Sequence, residues 1–136
     1  MNLSLADAFG KFGAKPYNRL RGLSAVAADG AVVLNCSPAL FGHPSKGVLR
    51  YEDKLSREAV GSRDTDLLAQ HLALARDGAL PIRMVITAPV SEKRDGGRCH
   101  IRADLIGKVV EFDGDHFIVD FIRLNEKDEG AGRRRK

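Results

Sequence analysis

The chain has 136 residues, 43% of them hydrophobic and 29% charged, which suffices for a single core and excludes a disordered chain. Two cysteines make no disulfide framework, no apolar run approaches the roughly 20 residues of a bilayer span, and Met1–Gly13 has neither a basic leader nor an apolar h-region; the expectation is a cytoplasmic protein with no membrane contact. The net charge of +4 does not indicate a basic body, because residues 130–136 carry four cations and no acid and the rest is neutral.

Ser4 to Phe12 reads as a short N-terminal helix, with Leu5, Phe9 and Phe12 on one side and Gly13 as its stop. Lys15-Pro16 then breaks the chain. Leu23–Ala28 and Ala31–Cys36 are extended runs joined by Asp29-Gly30, a hairpin signal because a type I′ turn needs positive φ at both central positions. A two-residue loop pairs Val26 with Val33 and gathers Leu23, Ala25, Ala27, Val32, Leu34 and Cys36 on one face. Residues 37–47, with two prolines and two glycines, read as a loop, and Val48–Asp53 as a third strand. The clearest helix spans Asp64 to Asp77, with Ser62 as N-cap, acids in its first turn, Gly78 after it and Pro81 beyond. Its apolar stripe is Leu67, Leu68, Leu72, Leu74 and Ala75, with His71 near the centre.

Ile82–Ala88 reads as a buried strand and residues 89–99 as a polar loop. Gly107–Phe112 and Asp115–Leu124 form a second hairpin across Asp113-Gly114, whose two-residue register gathers Val110, Phe112, Phe117, Val119 and Phe121 into a core stripe. This order describes one α+β domain over residues 1–124. Its sheet is mixed and mostly antiparallel, built from two β-hairpins plus additional strands, with one main helix and the short N-terminal helix. Residues 125–136 hold no apolar side chain larger than alanine and read as a disordered basic tail.

Two kinds of chemistry suggest themselves. Lys11, Lys15, Arg19 and Arg21, interleaved with Phe12 and Tyr17, have the composition that pairs phosphates and stacks a base. Lys93, Arg94 and Arg98 in the later loop, and Arg133, Arg134, Arg135 and Lys136 in the tail, add phosphate-seeking charge. DNA or RNA is the expected partner, solvated surface charge being the alternative. With no tryptophan and 6% aromatic residues, a dedicated stacking platform for single strands is poorly supplied. The chain contains no zinc finger, heptad zipper or clear RNP pattern.

Glu52-Asp53-Lys54 suggests hydrolysis instead. Residues two apart on a strand share a face, so Glu52 and Lys54 stand side by side. An Asp and a Glu converging on Mg²⁺ or Mn²⁺, with lysine beside the attacking water, can cleave a phosphodiester. The order αβββαβ, with Asp29 and then Glu52-x-Lys54, is similar to the core of restriction-endonuclease-like nucleases over residues 3–88. The resemblance implies a metal-dependent nuclease with Asp29, Glu52 and Lys54 as catalytic residues. A turn role for Asp29 and a solvated charge cluster at 52–54 are the alternatives. No metal site is expected from cysteine and histidine, since Cys36 with His43 and the adjacent Cys99-His100 lack zinc spacing. Phosphate-cradling glycine loops and a nucleophile elbow are missing. A third reading is a non-catalytic protein-interaction module, an inhibitor or accessory subunit, which suits a neutral body.

Overall fold

A computed structural model of the chain describes residues 2–19, 21–58, 61–89 and 97–124. Lys93, Arg94 and the tail from residue 125, with the disorder expected there, lie outside the described residues. Helix α1 (Leu5–Gly10) starts where Ser4 Oγ accepts the Asp7 N–H at 3.1 Å, which satisfies a donor with no helical partner. Helix α2 (Arg63–Gly78) starts the same way, on Ser62 Oγ and the Thr65 N–H. No helix among the described residues is long and apolar enough to cross a membrane.

The strands are β1 (Ser24–Val26), β2 (Val32–Cys36), β3 (Phe41–Ser45), β4 (Val48–Lys54), β5 (Ile82–Thr87), β6 (Cys99–Ile101), β7 (Leu105–Phe112) and β8 (His116–Arg123). They form one mixed sheet in the order β1-β2-β5-β7-β8-β4-β3, with β6 pairing β5. Only β2 and β5 run parallel; the other pairs are antiparallel. The fold is thus the α+β arrangement expected from the order of elements.

Two cores sandwich the central strands. Val32, Leu34, Cys36, Ile82, Met84, Tyr51, Phe117, Val119 and Phe121 pack with Leu68, Leu72 and Ala75 of α2. On the other side Leu5, Ala8 and Phe9 of α1 cover Ala25, Val33, Val85 and Cys99. Burial on both faces is why β2 and Ile82–Thr87 read as continuous apolar runs. Ser37, just past β2, donates its N–H to Tyr51 Oη of β4 at 2.9 Å, although three strands separate β2 from β4 in the sheet. The sheet therefore curls around the α2 side of the core.

Five local expectations need correction. In the first hairpin Ala25 pairs with Val33 and Val26 with Val32, one residue from the two-residue register. Ala27 donates to Ala31 O at 2.8 Å and Gly30 to Ala27 O at 2.9 Å, so the loop has three residues. Gly30 takes φ +91° and Asp29 stays at negative φ, which a type I′ turn does not permit. The slip sends Ala25 and Ala27 to the α1 side, and Val32, Leu34 and Cys36 face α2. Residues 41–45, read as loop, form β3; Pro44 is tolerated because β3 is an edge strand.

In the second hairpin Phe112 pairs with Phe117, and the register shifts between Val109 and Glu111. Val110 is the extra residue of that bulge and is 47% exposed, outside the core stripe where Phe117, Val119 and Phe121 are buried. Leu74, half-exposed, lies off the stripe that Leu68, Leu72 and Ala75 bury. Cys99, expected within a loop over 89–99, begins β6 instead.

Candidate nucleic-acid interface

Between Asp7 and Asp29 the chain has no carboxylate and four cations, Lys11, Lys15, Arg19 and Arg21. All four are exposed. The loop that carries the last three is shaped by Asn18. Its Oδ1 accepts the Arg21 N–H at 3.0 Å, and its carbonyl accepts the Gly22 N–H at 2.8 Å. Its Nδ2 donates to Asp64 Oδ2 at 3.3 Å, which ties the loop to the first turn of α2. Gly22 is required by space. A Cβ there would lie 2.6 Å from Pro16 Cβ and 2.8 Å from Asn18 O.

The loop is also fastened to the sheet. Asn35 of β2 donates Nδ2 to Gly22 O at 2.9 Å, and its Oδ1 accepts the Thr87 hydroxyl of β5 at 2.6 Å. With that hydroxyl proton committed, the Cys99 thiol at 3.3 Å donates to Thr87 Oγ1. Tyr17 stands out from this anchored base, 66% exposed. The Arg63 guanidinium lies 5.8 Å from its ring centroid, a cation–π contact. Phe12, the other aromatic of the stretch, is instead partly buried against the α1 core under Arg83. An open groove of about 810 Å³ is lined by Ser4, Ala6, Tyr17, Asn18 and Arg19.

Elsewhere, several arginines are held by aspartates, whereas Arg83 of β5 donates to Ala103 O at 2.8 Å. Arg50 chelates Asp120 at 2.7 and 2.9 Å, Arg57 chelates Asp53 at 2.7 Å through both nitrogens, and Arg102 chelates Asp104 at 2.9 and 3.0 Å. Hydrogen bonds from these partners hold the Asp120 and Asp104 carboxyls below the usual carboxylate range. Among the described residues, Lys11, Lys15, Arg19, Arg21 and Arg63 enter no ion pair. Arg98 donates to Ala88 O at 2.6 Å and so holds its own loop. Gly97 packs on the backbone of Leu3 and Ser4, which brings the Gly97-Arg98 end of the second basic stretch beside the groove that Ser4 lines.

Asp29, Glu52 and Lys54 are placed differently. Glu52 and Lys54 are both exposed on one face of β4. Asp29 sits in the β1–β2 turn, where Oδ1 accepts the Ala31 N–H at 3.0 Å. From that turn β2 runs about 16 Å before its far end meets β4 at Tyr51. Asp29 and Glu52 are therefore not brought together. Glu52 Oε2 faces His116 Nε2 at 2.5 Å, and His116 Nδ1 faces Glu111 Oε2 at 3.1 Å. These residues do not fit a Mg²⁺ or Mn²⁺ cradle of the expected kind, and no group of three or more His, Cys, Asp or Glu among the described residues can hold a metal.

Three further reactive groups are built into the core packing. His71 Nδ1 shares a hydrogen bond with Ser24 Oγ at 2.7 Å, and burial pushes its imidazole below its ordinary value. Ser24 is 4% exposed, so its hydroxyl has no access to a substrate. Cys36 is buried, its thiol pushed up by burial and by Asp53. Two residues of this candidate interface were not foreseen from sequence. Arg63 lies 46 positions from Tyr17, and only the docking of the loop on α2 joins them. Asn18 before Gly22 is the one local signal available, an Asx turn. No protein-family model matches the chain, and no curated protein matches it.

Proposed function

We propose that this protein associates with nucleic acid, contacting phosphates through Lys11, Lys15, Arg19, Arg21 and Arg63. The observation that carries the reading is the contrast in pairing. Arg50, Arg57 and Arg102 are spent on carboxylates, while five cations clustered on and beside one anchored loop have none. Uncompensated cations on a fixed exposed surface are what a polyanion can neutralise with release of its counterions. In the same reading Lys93, Arg94, Arg98 and the tail residues Arg133, Arg134, Arg135 and Lys136 extend the contact.

The test is fluorescence anisotropy of labelled DNA and RNA against the chain truncated after Glu129, with EDTA present and salt varied. Binding is expected to persist and to weaken with salt. Replacing Lys15, Arg19 and Arg21 by alanine should flatten the salt dependence by about three counterions' worth. Binding that is lost on truncation, or untouched by the triple substitution, overturns the reading. A protein partner would then be sought at the groove lined by Val48, Leu80, Pro81, Ile106 and Ile122, whose Ile122 side chain is 53% exposed.

A further inference from the structure

We infer that the ligand of this surface is single-stranded, with one unpaired base stacked on Tyr17; the inference rests on the nucleic-acid reading and specifies it. Tyr17 is the largest exposed apolar ring among the described residues, and 66% of it is open to solvent. Its presentation has structural support. Pro16 before it is buried, Asn18 closes the turn after it, and Arg63 contacts the ring. The phenol thus projects from an anchored base, so little ordering is left to be done on binding.

The exposure of the ring decides between strand states. In a duplex each base face is covered by its neighbours, and the phosphates are what a surface loop meets first. An exposed ring on a surface loop reaches a base face only where the base is unstacked, in a single strand, a bulge or an end. The groove beside Tyr17, about 810 Å³, lies within the roughly 300–1,000 Å³ span of small-ligand clefts and can receive one nucleotide. Ser4 and Asn18 supply polar groups on its wall, and Arg19 a cation for the flanking phosphate. A stack reads neither sugar nor base identity, so DNA and RNA strands should both bind, with little sequence preference.

Four labelled probes test this against the full chain: oligothymidylate, oligouridylate, and the duplex made from each. The single strands should bind more tightly than their duplexes. Tyr17→Ala should weaken single-strand binding about 5- to 150-fold, the measured range for loss of one base–aromatic stack, and leave duplex binding unchanged. Tyr17→Phe, which keeps the ring, should retain the affinity. If Tyr17→Ala weakens strand and duplex alike, or neither, the stacking inference is overturned while phosphate contact stands. If the wild-type chain binds none of the four probes, or if Arg19→Ala and Arg21→Ala weaken no binding, the nucleic-acid reading itself falls.

Discussion

At the residue scale, His116 shows how tertiary placement sets a side chain's chemistry. Both ring nitrogens face carboxylates, Glu52 at 2.5 Å and Glu111 at 3.1 Å, an arrangement that favours the protonated ring. Its pKa is raised above the ordinary value, first by the hydrogen bond to Glu52 and then by the one to Glu111. The folded form therefore binds the proton more tightly than the unfolded chain does. The resulting stabilisation is complete below the unfolded value, about 6.5, and is lost as pH rises through the folded value. Glu52→Gln should move the His116 imidazole titration, followed by NMR, toward the ordinary value and reduce the fall in stability above neutrality. An unmoved titration would mean that Glu52 does not hold the proton. Nothing in the sequence announces this pair, which is 64 residues apart and meets only because β4 pairs with β8.

At the scale of elements, caps and turns were more legible than registers. Ser62 was readable as an N-cap because the hydroxyl acts on an amide three residues away; Ser4, read as the first residue of its helix, caps it in the same way. The C-terminus of α2 was read one residue early. Gly78 remains helical, and Ala79 adopts the left-handed conformation, φ 53° and ψ 40°. An L residue with a Cβ pays about 1–2 kcal/mol for that conformation. Ala79→Gly should accordingly raise the unfolding free energy by about 1 kcal/mol, seen as a higher denaturant midpoint at constant slope. A lower midpoint would show that the alanine methyl is needed in its place. Hairpin registers were not legible, because Asp-Gly signals a turn without stating its length, and one residue of difference exchanges the two faces. In the first hairpin that exchange escapes any hydrophobic signal, since both faces of the sheet are buried there.

At the scale of the whole molecule, the two regions of the sheet meet at one point. Strand β5 pairs with β7 only through Ile82 and Gly107, before β6 takes over the same edge. A Cβ on Gly107 would lie 2.7 Å from two carbons of the Phe121 ring, which is fully buried. Gly107→Val should therefore cost about 1–3 kcal/mol of stability through overpacking, measured by denaturant unfolding. A neutral result would mean that Phe121 has another rotamer and that the junction is not tightly filled. The strand order and the length of β2 also separate Asp29, at the near end of β2, from Glu52 and Lys54 on β4. A linear order of αβββαβ shows which elements follow one another, but not which strands lie between them.

By itself the sequence determined the fold class, the helix starts, the buried character of Ile82–Thr87 and the burial of Cys36, Phe117, Val119 and Phe121. Each of these follows from local propensity or from apolar periodicity, which act within a few residues. It also marked Lys11 to Arg21 as a cationic stretch with an aromatic in it. Only the tertiary structure decided that Tyr17 is exposed while Phe12 is partly buried, that Arg63 joins the loop, and that Arg50, Arg57 and Arg102 are spent on aspartates. Those outcomes depend on strand order and on a helix docking far along the chain. Exposure and charge pairing are set by which distant segments come within a few ångströms, and a local pattern carries no record of that distance.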